Sequence, residues 1–265
     1  MIGIYDSGVG GLATLKYFKK IIPEYNFSIL ADNAMFPLGE KTPEQIQTNT
    51  FKALERFFNK GAKLVIIACN TAAAYSVRKW QSQFPNKKVL SITVPGIEEL
   101  LVTGDTTHQN VGILATKSTV FSGIYHDLFT RLGGEDKNHN PNFECIISSD
   151  LIQAIEESPY SKKTEQLIEQ YCQKFTSNPE ILILGCTHFS LVKPLFEKHF
   201  KGKIIDPSEH AAKKLKNYLT QHPEIDQQLT KNSAGQAGKT NYYTTGKQNY
   251  VLSFLENCVF EKINL

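Results

Sequence analysis

Two hundred and sixty-five residues make just under two domains at ~150 residues each, and a chain of this length buries enough surface to fold without a disulfide or a metal. Its longest unbroken apolar runs, such as Leu64 to Cys69, fall far short of the ~20 residues of a membrane span, and the opening Met1-Ile2-Gly3-Ile4-Tyr5-Asp6 has neither the basic stretch nor the apolar stretch of a secretory signal. The net charge of +3 is spread along the chain with no Lys/Arg cluster interleaved with aromatics, which argues against a nucleic-acid partner, and five cysteines without a CxxC pair read as the reduced thiols of a cytoplasmic protein.

In chain order, short apolar runs alternate with helical periodicity. Ile2–Tyr5 reads as a strand, followed by the turn Asp6-Ser7-Gly8-Val9-Gly10-Gly11 and a helix with Leu12, Leu15, Phe18 and Ile21 on one face. Phe27–Leu30 is a second strand. Thr42 is an N-cap with Pro43 at the first helical position and Gln45 completing a capping box, and Gly61 ends that helix. Leu64–Ala68 reads as a buried strand, 70–84 as a helix, and Val89–Val94 as a strand ending at Pro95-Gly96. The pattern restarts with strands at Val111–Leu114 and Phe143–Ile147, a helix capped by Asp150, a helix over 161–175, and strands at Ile181–Leu184 and Lys203–Ile205. Ser208 reads as the cap of a further helix, the polar stretch from Pro223 to Gln248 as loops, and Val251–Phe260 as a closing helix.

Continuous apolar strands alternating with helices predict parallel sheets covered on both faces. The chain also resembles itself. Ile2-Gly3-Ile4 opens one half and Val111-Gly112-Ile113 the other, and each half carries an apolar run ending in a cysteine, Cys69 or Cys186. The expectation is an α/β protein of two similar parallel-sheet domains related by pseudo-two-fold symmetry, with the active site in the cleft between them. Residues 1–96 with 207–265 form the first domain and 97–206 the second.

Both cysteines stand where a strand ends and a helix begins, the place where open α/β sheets bind ligands and where a helix N-terminus favours thiolate. Each alone reads as well as a small buried hydrophobe; the matched contexts favour a pair of thiols facing one cleft and exchanging protons from two sides. Cys145, Cys172 and Cys258 read as structural. The glycines at 8, 10 and 11 match neither GxGxxG nor a P-loop, but they let backbone N–H groups approach an anion. Asp6, at a strand end, can orient or deprotonate a neighbour, and His188 stands two residues from Cys186. No histidine spacing suits a metal.

Asp6-Ser7-Gly8-Val9-Gly10-Gly11, Ala68-Cys69-Asn70-Thr71-Ala72 and Leu184-Gly185-Cys186-Thr187-His188-Phe189 resemble the three motifs of the cofactor-independent aspartate/glutamate racemase family, the first motif those of its glutamate racemases. Further matches at Asp32 to Gly39, Thr116 to Tyr125, Ile205-Asp206 and Tyr242 to Gly246 extend the resemblance over nearly the whole chain. It implies interconversion of L- and D-glutamate by two bases, without cofactor or metal, in a cytoplasmic homodimer that supplies D-glutamate for peptidoglycan synthesis. Cys69 would serve the D-enantiomer with help from Asp6, and Cys186 the L-enantiomer with help from His188; Glu156 would stand near the second cysteine. Asp6, Ser7, Leu38, Gly39, Asn70, Thr71, Thr187 and His188 would contact the substrate.

The chemistry fits. An α-proton is a very weak acid, and without a cofactor as electron sink the carbanion-like transition state needs a dry pocket with donors on the carboxylate and thiols whose pKa of about 8.5 is lowered by their surroundings. Four positions depart from the family pattern: Leu38 stands where tyrosine is usual, Phe189-Ser190 where Tyr-Pro is usual, and Lys247 where an acidic residue is common. An aspartate or broader amino-acid racemase, and a non-catalytic binding protein on the same scaffold, stay open at this point.

Overall fold

The computed structural model describes residues 1–103, 109–133, 141–233, 236–246 and 259–265. Its strands are β1 (Ile2–Asp6), β2 (Phe27–Ala31), β3 (Leu64–Ile67), β4 (Lys88–Ser91), β5 (Asn110–Ala115), β6 (Asn142–Ile147), β7 (Ile181–Gly185), β8 (Lys203–Ile205), β9 (Thr240–Thr244) and β10 (Phe260–Lys262). Its helices are α1 (Gly11–Ile21), α2 (Pro43–Asn59), α3 (Asn70–Gln83), α4 (Thr93–Val102), α5 (Lys117–Phe121), α6 (Ile124–Leu132), α7 (Ser149–Glu157), α8 (Lys162–Gln173), α9 (Thr187–Leu191), α10 (Lys193–His199), α11 (Pro207–Gln221) and α12 (Pro223–Asp226). Among the described residues no helix is long and apolar enough to cross a membrane.

Among the described residues all the strand pairings are parallel, and they form two sheets, in the orders β10-β9-β2-β1-β3-β4 and β6-β5-β7-β8. The arrangement β2-β1-β3-β4 is therefore repeated as β6-β5-β7-β8, and Cys69 and Cys186 each follow the third strand of their half. Alternate side chains of the first sheet face opposite ways. Ile4, Ile29 and Ile66 pack with Leu15 and Phe18 of α1 and Ala212 and Leu215 of α11. Tyr5, Val65 and Ile67 pack with Leu54 and Phe57 of α2 and Val77 and Trp80 of α3. The second sheet is likewise covered twice, Leu182 and Leu184 facing Ile155 and Ile168, Ile113 and Ile183 facing Leu100 and Phe129. Both faces are buried, which is why the strands read as apolar runs rather than alternating ones.

The chain passes between the sheets at α4 and at the β8–α11 junction, and these crossings touch: a Cβ on Gly96 would lie 3.0 Å from the Pro207 ring.

Several expectations need correction. β4 stops at Ser91, and Thr93-Val94-Pro95-Gly96 is instead the first turn of α4, where a missing proline N–H costs nothing. Asp150 lies in the first turn of α7, whose N-cap position is Ser148. α11 is capped by Asp206, whose carboxylate accepts from the Ser208 backbone N–H, because Pro207 takes the first helical position. The polar stretch after Pro223 holds the short helix α12 and the strand β9, which pairs with β2. Phe260 lies in β10 rather than in a helix; the rest of that predicted helix, except Val259, falls outside the described residues, as do Lys247 and Cys258. Cys145 is exposed, whereas Cys172 is half-buried and packs against the core of the second sheet.

Candidate active site

The turn after β1, the β3–α3 junction and the β7–α9 junction converge on one narrow cavity of about 30 Å³, room for about two water molecules. Ser7, Cys69, Asn70 and Thr71 line it from the first half, Cys186, Thr187 and His188 from the second, with Leu38 and Gly39 at its wall. Every residue expected to touch substrate is there except Asp6. Asp6 and Glu156 stand behind the wall, fully or almost fully buried, and act on residues that line it.

Asp6 joins the halves. One carboxylate oxygen accepts from the Gly8 backbone N–H at 2.9 Å, and the other from the Thr187 hydroxyl, also at 2.9 Å. Burial pushes its pKa up to about 6, against the nearby His188 charge and these two donors. The glycines of the turn let the halves close on one another: a Cβ on Gly10 would fall 2.3 Å from Thr187 Oγ1. The backbone N–H groups do meet anions, and these are the protein's own carboxylates, with Gly8 donating to Asp6 and Val9 to Glu156 at 3.4 Å.

The two thiols sit in different surroundings. Cys69 Sγ lies 3.2 Å from the Ser7 hydroxyl. Its pKa is pushed up to about 12, by burial first and then by the Asp6 carboxylate, with Ser7 and the Ala72 N–H offsetting only part. The expected lowering by the helix N-terminus is overturned at this residue: a buried thiol beside an acid keeps its proton. Cys186 Sγ lies 3.5 Å from Nδ1 of His188, whose Nε2 is paired with Glu156. Burial disfavours charge on His188, but Glu156 and Cys186 outweigh it and hold the imidazole pKa well above its ordinary value. The Phe36 ring stands 5.9 Å from that imidazole.

Hydroxyls from the second half hold residues of the wall. Thr71 Oγ1 lies 2.8 Å from Thr116 Oγ1 and 3.0 Å from Thr119 Oγ1, Tyr125 donates to Asn70 Oδ1 at 2.7 Å, and Ser118 donates to the Gly39 carbonyl at 2.6 Å. Leu38 is buried in the core with Tyr5 and Leu30 as well as lining the cavity. Phe36, Thr116, Ser149 and Ile152 also line it. Sequence reasoning assigned them no role, although Thr116 stands at the carboxyl end of β5 as Cys69 stands near that of β3. Ser190 faces away, donating to Asp206 at 2.7 Å.

A larger cavity of about 230 Å³ opens elsewhere, among α3, α4, α6 and α11, and neither Cys69 nor Cys186 lines it. Among the described residues no group of three His, Cys, Asp or Glu side chains is placed to hold a metal ion.

The profile of the Asp/Glu/Hydantoin racemase family matches residues 13–215. The chain is 34% identical to a glutamate racemase of Ruegeria pomeroyi over 262 residues, covering 93% of this chain and 91% of that one. It is 32% identical to a glutamate racemase of Aquifex aeolicus over 220 residues, 82% and 83% of the two chains. In structure it is similar to the glutamate racemase of Francisella tularensis in complex with D-glutamate, with a TM-score of 0.82 and 25% identity, covering 99% of this chain and 97% of that one. This chain, a cofactor-independent racemase by that relationship, belongs to the Asp/Glu/Hydantoin racemase family.

Proposed function

We propose that the protein interconverts L- and D-glutamate by a two-base mechanism, with Cys186 taking the α-proton of L-glutamate as Cys69 delivers one to the opposite face, and the reverse for D-glutamate. The observation that carries this reading is the pair of thiols lining one narrow cavity from opposite halves. A protonated Cys69 is a proton donor on one face, and a cationic His188 beside Cys186 returns a proton on the other. Asp6 acts on Cys69 through its charge, and Glu156 holds His188 in place. Ser7, Asn70, Thr71 and Thr187 supply donors to substrate oxygens, which stabilise negative charge building toward the carboxylate. Leu38 and Gly39 supply the wall.

The glutamate racemases among the relatives support glutamate as substrate. The division into 1–96 with 207–265 and 97–206 is proposed with it, supported by the contact between Gly96 and Pro207 where the chain crosses twice. A role in peptidoglycan synthesis, a homodimer and a cytoplasmic location belong to the same proposal and rest on the family relationship.

The test uses Cys69→Ala and Cys186→Ala in D2O with each enantiomer of glutamate, and aspartate as a control. Each variant is expected to lose racemisation by roughly 10²–10⁴-fold or more while staying folded. Each should keep one-sided exchange of the α-proton for deuterium, of L-glutamate alone in Cys69→Ala and of D-glutamate alone in Cys186→Ala. Racemisation at the wild-type rate by either variant would sink the two-base assignment.

A further inference from the structure

Asn70 opens α3 and lines the cavity, and its side-chain amide has two unlike ends, a carbonyl that accepts and an NH2 that donates. What it offers a substrate depends on which end faces inward. Tyr125, on α6 of the other half, settles this: its hydroxyl lies 2.7 Å from Asn70 Oδ1, and the contact is buried. The other amide atom, Nδ2, makes no hydrogen bond among the described residues and is not sealed from contact either. With Asn70 only 3% exposed, the cavity is where that donor opens.

We propose that Tyr125 is a positioning residue that acts through Asn70, holding the amide with its NH2 toward the substrate so that the site presents a donor to a carboxylate of glutamate. This rests on the glutamate racemase reading and deepens it.

Two further features support the orientation. The Tyr125 ring is buried among Ile97, Leu100 and Ile113, so it is fixed by packing. Burial and the nearby Cys186 and Asp206 hold its pKa above the ordinary value, so the hydroxyl has a proton to donate. Were the amide reversed, a carbonyl oxygen would face the substrate carboxylate, and the tyrosine proton, buried, would have no acceptor. The contact also crosses from one half to the other, so the amide is locked only while the halves are together.

Tyr125→Phe removes the hydroxyl and keeps the ring. The expected result is a KM for glutamate raised about tenfold with kcat within about twofold, since the interaction is with substrate and transition state alike. Incorporating 4-aminophenylalanine at position 125 restores a donor and is expected to return KM to near the wild-type value. An unchanged KM in Tyr125→Phe, a fall of kcat in place of the rise in KM, or a failure of the amino analogue to rescue each overturns the inference. If Tyr125→Phe does not fold, Asn70→Asp decides: it keeps the shape, replaces the donor with an anionic oxygen, and is expected to raise KM by about tenfold or more, whereas an unchanged KM overturns the inference. Wild-type kinetics separate the two readings. A wild type that racemises glutamate beside an unaffected Tyr125→Phe removes this inference alone, and a wild type that does not racemise glutamate removes both.

Discussion

Asp6 is ionised where water does not reach, and that has a measurable consequence. Its pKa rises from the unfolded 3.8 to about 6 in the folded chain, so between these values the folded state holds a proton that the unfolded state has released. Stability therefore falls as pH rises through this window and stays lower above it, by about 3 kcal/mol at 1.36 kcal/mol per pKa unit. In Asp6→Asn this dependence disappears. Urea denaturation from pH 4 to 7 is expected to show wild-type stability declining relative to the variant by about that amount; parallel curves would mean the carboxylate is not strained by burial. The same substitution removes the charge that, after burial, raises the Cys69 pKa and the acceptor for Thr187, so racemisation should fall even where stability at neutral pH rises. A residue that lowers stability in return for a poised thiol is what a catalytic assignment predicts.

Helix and strand ends decide how the site is held. α9 carries Thr187 and His188, and its Ser190 hydroxyl reaches the Asp206 carboxylate that caps α11. Ser208, on α11, then meets Thr14 of α1 at 3.0 Å. Three helices are joined by this buried seam. Ser190→Ala takes one donor from a carboxylate that is fully buried, and is expected to cost about 1–3 kcal/mol in urea denaturation with kcat little changed, because neither thiol moves; a variant as stable as wild type would show that the seam carries no load. This seam was invisible in the sequence, since Ser190, Asp206 and Thr14 are brought together only by the fold. By contrast, both cysteines were legible, because each ends an unbroken apolar run and a strand-to-helix junction needs no long-range information. The capping box of α2 was legible for the same local reason. β9 was not. Its Thr-Asn-Tyr-Tyr-Thr run is only partly buried, between β10 and β2, and sits among polar residues that read as loop. Tyr125 and Ser118 escaped because their partners lie 55 and 79 residues away.

At the scale of the molecule, the proposed reaction depends on how the two halves meet around the cavity. Under the proposed function the narrow cavity holds glutamate between the two thiols. Hydrogen bonds between the halves around the cavity include Asp6 with Thr187, Val9 with Glu156, Thr71 with Thr116 and Thr119, Asn70 with Tyr125, and Gly39 with Ser118. Gly10 sets how closely the halves approach. A Cβ there would stand 2.3 Å from Thr187 Oγ1 and 2.7 Å from the His188 backbone nitrogen, and neither is the loose end of a long side chain that could swing aside. Gly10→Ala must therefore hold α9 away from the turn after β1, stretching the Asp6–Thr187 bond and shifting Cys186 relative to Cys69. A displacement of about 1 Å can cost about 10²-fold in rate, so kcat/KM in both directions is expected to fall by that order. The two directions must fall together, because two enantiomers are equal in free energy and the equilibrium constant stays at unity. Stability should change far less than activity, by about 1–3 kcal/mol as for other overpacked contacts. A Gly10→Ala enzyme with near-wild-type kcat/KM would mean that the closed contact between the halves is not the reactive arrangement.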